Sequence, residues 1–328
     1  MRAPATARWI AGSIARWTGV VGLNYHRIGD GTQSLFDRGL WSATAAGFDA
    51  QVRYLKTNFD VIAPQDVSYV VRVKRGRHVL ITFDDGYADN YAAAFPILKS
   101  HRVPATFFIA TGYIDRPRVP WWDEIAWMVR TSKQPSLDIP ELLPSSPLVF
   151  DEPHRENAVR TLLRAYKKLP SHRTLAFLQT IADATGTGRA ASGAADVEDV
   201  TRMWMTWDML REMQRADMTI GGHTVEHPIL SSMSREDQAE EISGCARRIK
   251  EELQISMRTF AYPVGSLAAF NADTRDCLRD AGVETAFSYC GGFRKLSEWD
   301  DYDIPRIAVE QETTFAEFRA AVMFPWTT

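Results

Sequence analysis

Three cysteines in 328 residues, Cys245, Cys277 and Cys290, are odd in number and show no Cys-x-x-Cys spacing. They exclude a disulfide framework and a cysteine-ligated zinc site, and they fit a reducing compartment. Long apolar runs are also missing. No stretch approaches the ~18 uninterrupted apolar residues of a transmembrane helix. Nor does one sign of charge dominate. Lys and Arg number 38 against 41 Asp and Glu, for a formal charge of -3, which removes the electrostatic reason to expect nucleic acid as a partner. No internal repeat appears. What the chain does have is 45% hydrophobic residues, enough for a sizeable core, and enough length for one large α/β domain or two ordinary ones.

At the N-terminus, Arg2 and Arg8 flank a short apolar patch over residues 9–15, but Arg16 breaks it and no cleavage site follows. We therefore expect no cleaved leader. Ile10, Ile14, Trp17 and Val21 recur at helical spacing, with Arg8 and Arg16 on the other side. An amphipathic helix within residues 1–22 is expected, lying on a membrane surface, on a partner, or on its own domain. The expected location is cytoplasmic, with peripheral contact at the inner face of the membrane.

Downstream, strand-like and helical runs alternate, which favours α/β architecture. Strands are expected at 79–83, 105–110, 259–262, 285–288 and 304–307. Helices are expected at 91–100, where Pro96 makes a kink, and at 272–281. Ser234 with Asp237, and Thr314 with Glu317, read as capping boxes, the first opening a helix to about 252. Residues 112–205 break the rhythm. They hold a Trp-rich helix (Trp121, Trp122, Trp127), a Pro-rich connection, two further helices at 156–169 and 173–184, and a Gly/Ala/Ser-rich loop at 186–195. This segment reads as a helical insertion into a barrel that spans 23–328.

The run Val79-Leu80-Ile81-Thr82-Phe83-Asp84-Asp85-Gly86 is a buried strand that ends in two adjacent carboxylates. Like charges at a strand end are costly unless a cation sits between them. Residues 221–228 offer two imidazoles, His223 and His227, four positions apart. One Asp and two His form a three-ligand set with an open coordination position, the arrangement of a catalytic zinc. Successive strand residues face opposite ways, so one of Asp84 and Asp85 can bind the metal while the other accepts a proton. Taken alone, Asp-Asp-Gly also suits a solvated turn. Zn²⁺ is the default ion, though Co²⁺, Ni²⁺, Mn²⁺ or Fe²⁺ suit the same ligands.

Thr82-Phe83-Asp84-Asp85-Gly86 and His223-Thr224-Val225-Glu226-His227-Pro228 together resemble the first two motifs of the carbohydrate esterase family 4 polysaccharide deacetylases. Val103-Pro104-Ala105-Thr106-Phe107-Phe108 is similar to the strand after the first motif. Phe260-Ala261-Tyr262-Pro263-Val264-Gly265 sits where the third belongs. The resemblance covers residues 23–112 and 217–309. It implies a distorted (β/α) barrel of fewer than eight strands and hydrolysis of an N-acetyl group on a sugar in a polysaccharide, oligosaccharide or lipid-linked glycan. It implies that Asp85, His223 and His227 hold the metal, that Asp84 is the general base, and that the backbone N–H near Val264 helps stabilise the oxyanion.

The departures are specific. The base-orienting arginine of the usual third motif falls at Ala261. No clear Asp-Trp fourth motif is present, and the late Leu-x-His segment that carries the general acid is absent, with Ile304-Pro305-Arg306-Ile307 in its place. The segment Leu23-Asn24-Tyr25-His26-Arg27-Ile28 is similar to the Tyr-His segment of exopolysaccharide and poly-N-acetylglucosamine deacetylases, which supplies the acid from the other end of the barrel. His26 is therefore expected as general acid and Arg306 as the replacement orienting arginine. Their plainer readings are a core histidine and an ordinary salt bridge. Hydrolysis of a non-sugar C–N bond, and a non-catalytic member that binds glycan or a protein partner, are the competing functions. The tryptophans near Trp121 read either as a sugar-stacking wall or as core of the insertion.

Overall fold

Continuous apolar runs, rather than alternating ones, set the architecture. The strands Gly19–Tyr25 (β1) and Arg77–Phe83 (β2) are buried along nearly their whole length, as parallel strands covered on both faces must be. Thr106–Ile109 (β3), Thr219–Gly222 (β4), Thr259–Ala261 (β5), Thr285–Phe287 (β6) and Arg306–Ala308 (β7) are shorter. The computed structural model describes residues 17–140, 143, 147–151, 154–190 and 200–326. Among these residues the strands pair in the order β6-β5-β4-β3-β2-β1-β7, all parallel. A two-residue strand, Asp60–Val61, pairs alongside β2.

The two ends of this sheet nearly meet. Phe287 bridges to Ile304, just ahead of β7. Ser288 N donates to Ile304 O at 3.0 Å, and Ile304 N donates to Ala286 O at 2.9 Å. The result is a nearly closed (β/α) barrel of seven strands, as the motifs implied.

Period-two alternation divides each strand between two cores. Val20, Leu80, Phe108, Ala261, Phe287 and Ile304 fill the barrel interior. Val21, Leu23, Val79, Ile81, Phe83, Phe107 and Phe260 face outward and pack under the helices. Those helices include Ala45–Asn58, Phe95–His101, Arg235–Leu253, Ala272–Asp280 and Phe315–Met323. Both helices are capped, Asp237 N donating to Ser234 Oγ at 3.1 Å and Glu317 N to Thr314 Oγ1 at 3.2 Å, but only the second completes the expected box, with Thr314 N donating to Glu317 Oε2 at 2.8 Å. Pro96 lies in the first turn of its helix, after a π-turn over Asn90–Ala94, where its missing N–H costs little.

The segment between β3 and β4 builds its own core. Helices Trp121–Thr131, His154–Tyr166 and Ser171–Thr185 bury Ile125, Leu162 and Ile181 completely in a cluster of their own. The Pro-rich connection holds more order than its composition suggested, since Ser136–Leu137 and Leu148–Val149 pair antiparallel.

At the N-terminus the expectation needs correction. Residues 17–18 are not helical and β1 already begins at Gly19. Trp17 is buried against Phe59 and Phe293, and Val21 lies in the outer core. The β-branched pair Val20-Val21 next to a parallel partner favours strand over helix. Two of the four members of the apolar stripe therefore serve the barrel. Ile10 and Ile14 lie outside the described residues, as does the part of the Gly/Ala/Ser-rich loop at 191–195. No described helix is long and apolar enough to cross a membrane.

Candidate active site

The functional side chains gather at the C-terminal mouth of the barrel, where α/β folds place their sites. Asp84 and Asp85 follow β2, and His223 follows β4. Asp85, His223 and His227 are all buried, and one ligand atom from each lies within 4.8 Å of the others. Nε2 of His223 is 3.5 Å from Asp85 Oδ1, and Nε2 of His227 is 3.4 Å away.

The surroundings prepare these donors. His223 Nδ1 is 2.7 Å from the Ala261 carbonyl oxygen. A carbonyl only accepts, so Nδ1 carries a proton, and Nε2, on the Asp85 side, is the nitrogen left to serve as a donor to a metal ion once its own proton is lost. Burial lowers the His227 pKa to about 3, assisted by the His223 charge, so this imidazole is neutral at physiological pH. A buried carboxylate converging with two imidazoles fits a divalent cation by donor type, number and spacing.

The loop that carries the histidines is held from below. Glu241 Oε2 accepts from both Val225 N and Glu226 N at 2.9 Å. Thr224 Oγ1 accepts from His227 N at 2.9 Å. Asp85, Thr224, His227 and Val264 all have positive φ, between 54° and 76°. Non-glycine residues in this region are uncommon, and such strain collects at functional sites.

Asp84 points the other way from Asp85, into the barrel. Arg306 Nη1 donates to Asp84 Oδ1 at 2.6 Å and Nη2 to Oδ2 at 2.8 Å. Asn24 Nδ2 adds a third donor to Oδ2 at 2.8 Å. The rest of the guanidinium is also engaged, Nε with Ser288 O at 3.1 Å and Nη1 with Thr82 Oγ1 at 3.1 Å. Burial alone would push the Asp84 carboxyl up. The Arg306 charge, with His223, outweighs that and holds it well below the usual carboxylate range. Gly22 makes room for this arginine: a Cβ there would lie 2.9 Å from Arg306 Cγ and 2.9 Å from Pro305 O.

A cleft of about 350 Å³ opens over Asp85, His223 and His227. His26, Asp84, Asp85, His223, His227 and Val264 all line it. His26 is half-buried rather than sealed in the core, and its ring is 6.2 Å from that of Tyr289. The Val264 N–H has no protein acceptor among the described residues.

All three tryptophans are buried in the insertion core, and Trp121 and Trp122 also line the cleft. Trp122 packs edge-on to His227, with ring centroids 4.4 Å apart. Its Nε1 donates to Tyr87 Oη at 2.7 Å, and Tyr87 Oη donates to Asp123 Oδ2 at 2.8 Å. The insertion thus supplies one wall of the site.

The structure brings every expected site residue to one locality. Sequence reasoning did not identify Asn24, Glu241 or the Tyr87–Trp122–Asp123 chain. Asn24 was within reach: it lies two residues before His26, and on β1 it shares the inward face of Val20 and Gly22. Glu241 carries no signal, because its distance from the motif is set by the helix Arg235–Leu253.

Comparison with known proteins agrees with this geometry. The sequence matches the polysaccharide deacetylase family over residues 72–133 and 145–286. Over 78 residues it is 35% identical to the poly-beta-1,6-N-acetyl-D-glucosamine N-deacetylase of Staphylococcus aureus (strain MSSA476), a stretch covering 23% of this chain and 27% of that one. The match thus spans roughly a quarter of that curated relative. Among solved structures, the Streptococcus pyogenes deacetylase PplD in complex with acetate superposes with a TM-score of 0.60 at 16% identity, covering 92% of this chain and 97% of that one. IcaB from Ammonifex degensii gives 0.58 at 19% identity, covering 94% and 98%. At such identities the two structures speak for the fold. The family match, which takes in both aspartates and both histidines, identifies the chain as a member of the polysaccharide deacetylase family.

Proposed function

We propose that this protein removes the acetyl group from an N-acetylated amino sugar within a glycan, releasing acetate and leaving a free amine. One observation carries the reading. Asp84, gripped by Arg306, and the Asp85–His223–His227 triad open into the same cleft. A base and an ion site opening into one cleft can together hydrolyse an amide.

Asp85, His223 and His227 would hold one divalent ion, with Zn²⁺ as the default. Such an ion supplies Lewis acidity and lowers the pKa of water to roughly 7. Asp84 takes the proton of the attacking water. Arg306 and Asn24 fix its carboxylate so that a free lone pair faces the cleft. The Val264 N–H donates to the oxygen of the acetyl carbonyl as negative charge develops there. His26, protonated, delivers its proton to the sugar nitrogen as the C–N bond breaks. Trp121 and Trp122 line the cleft and would give the apolar C–H surface of a sugar ring an apolar edge to rest on.

The test is acetate release from N-acetylglucosamine oligosaccharides by the protein loaded with Zn²⁺, Co²⁺ or Ni²⁺. Turnover that disappears with a chelator and returns with the ion supports the reading. Metal binding without acetate release from any N-acetylated glycan, but with hydrolysis of simple amides, would move the protein to another C–N hydrolase class. Glycan binding with neither activity would make it a binding protein.

A further inference from the structure

The insertion's wall of the cleft carries charge that the chemistry above does not use. Arg160, Leu163 and Lys167 all line the cleft. They stand at i, i+3 and i+7, the first two on the helix His154–Tyr166 and Lys167 just past its end, so helical spacing puts them on one face. Neither cation is in an ion pair among the described residues. For Arg160 the reason is visible. Its i-4 neighbour Glu156, the natural helical partner, is already paired with Arg38 at 3.4 Å and with Arg130 at 2.5 Å.

None of the carboxylates of the cleft forms an ion pair with these two among the described residues. Asp84 is paired with Arg306, and Asp85 belongs to the metal triad. Asp37 faces the site as well, and its charge and that of Lys167 act on each other, but burial raises the Asp37 carboxyl and no ion pair joins the two. Glu310 also lines the cleft, where its charge is felt by Tyr289. The insertion therefore presents two cations without an ion-pair partner beside an aromatic wall, in the same cleft as the groups proposed to cleave the amide.

We propose that Arg160 and Lys167 form a subsite for an anionic group on the glycan, so that the substrate is an acidic saccharide rather than a neutral one. The inference rests on the deacetylase reading and sharpens it. A guanidinium and an ammonium both recognise carboxylates and phosphates. The anion is thus the carboxylate of a neighbouring uronic acid or a phosphate linking the sugar to its carrier.

Three probes separate the possibilities, each with Zn²⁺-loaded full chain: neutral chitotetraose, a hyaluronan tetrasaccharide for the uronate, and UDP-N-acetylglucosamine for the phosphate. Acetate release and equilibrium binding are measured for each. At least one anionic probe should exceed chitotetraose by about tenfold or more in kcat/KM, the effect of one good charge-assisted contact. That ratio should fall towards one in Arg160→Ala/Lys167→Ala, and below one in Arg160→Glu/Lys167→Glu. Circular dichroism of each variant establishes that it is folded. The hyaluronan arm winning assigns the uronate, and the nucleotide-sugar arm the phosphate. Equal or weaker binding of both anions relative to chitotetraose overturns the subsite, as does a preference that survives charge reversal. Preferential binding of an anion without acetate release would leave the subsite standing and remove the deacetylase reading instead.

Discussion

Arg306 and Asp84 meet through two parallel hydrogen bonds of 2.6 and 2.8 Å, although 222 residues separate them. The guanidinium begins on β7 and ends at the mouth of β2, inside the barrel. This buried pair fixes the base and ties the last strand to the second. Removing one partner of such a pair leaves a buried charge alone, at a cost of roughly 3–5 kcal/mol. Arg306→Ala should lower unfolding stability in urea by about that amount. Arg306→Lys keeps the charge but loses the planar fork, and should retain more stability than activity. Asp84→Asn should keep the metal and lose kcat by roughly 10²-fold or more. Near-wild-type turnover in Asp84→Asn would show that another group takes the proton.

The triad predicts metal stoichiometry. Elemental analysis should find one divalent ion per chain, and His223→Ala should lose most of it. Because the site exists only in the folded chain, added Zn²⁺ should raise the melting temperature of the stripped wild type. It should leave the Asp85→Ala/His223→Ala/His227→Ala protein unmoved. Stoichiometric metal in that triple variant would place the ion elsewhere.

His26 has a kinetic signature. If it protonates the leaving amine, His26→Ala should lower kcat with a smaller change in KM, and the alkaline limb of the pH–rate profile should shift or vanish. Substrates with a better leaving group should be spared. A variant that keeps the wild-type profile would return His26 to a packing role.

Asp123 makes a prediction about stability. Burial pushes its carboxyl up to about 7, against ~3.9 for an unfolded Asp. Between those values the unfolded chain releases a proton that the folded chain keeps. The contribution of this group to stability therefore falls as pH rises from ~4 to about 7 and levels off above, by up to roughly 4 kcal/mol. Asp123→Asn, which mimics the neutral acid, should flatten that part of the curve. Urea midpoints measured at half-unit pH steps for both proteins decide it; parallel curves would mean that Asp123 is ionised in the fold.

The reading from sequence reached furthest where chemistry and local pattern coincide. The run from Val79 to Gly86 contains its own strand, its own end and two of the key carboxylates. The His223–His227 loop likewise carries both ligands within one short segment. Arg306 was reachable only through the family's missing arginine, because nothing near Ile304-Pro305-Arg306 hints that its side chain crosses the barrel. Trp17 and Val21 misled for a physical reason. A stripe at helical spacing also contains residues that suit a buried strand, and only pairing with Arg77–Phe83 decides between them. The Tyr87–Trp122–Asp123 chain depends on how the insertion folds back, which no local pattern reports.

Ala261, where the resemblance places the usual arginine, is fully buried in the barrel interior beside Phe108, and the Arg306 guanidinium lies 5.6 Å over that same Phe108 ring. The position where the resemblance places the usual arginine and the guanidinium of Arg306 thus neighbour the same ring, and in this chain the charge opposite Asp84 comes from β7. A chain carrying both arginines would crowd two like charges against one carboxylate, and a chain carrying neither would strand that carboxylate.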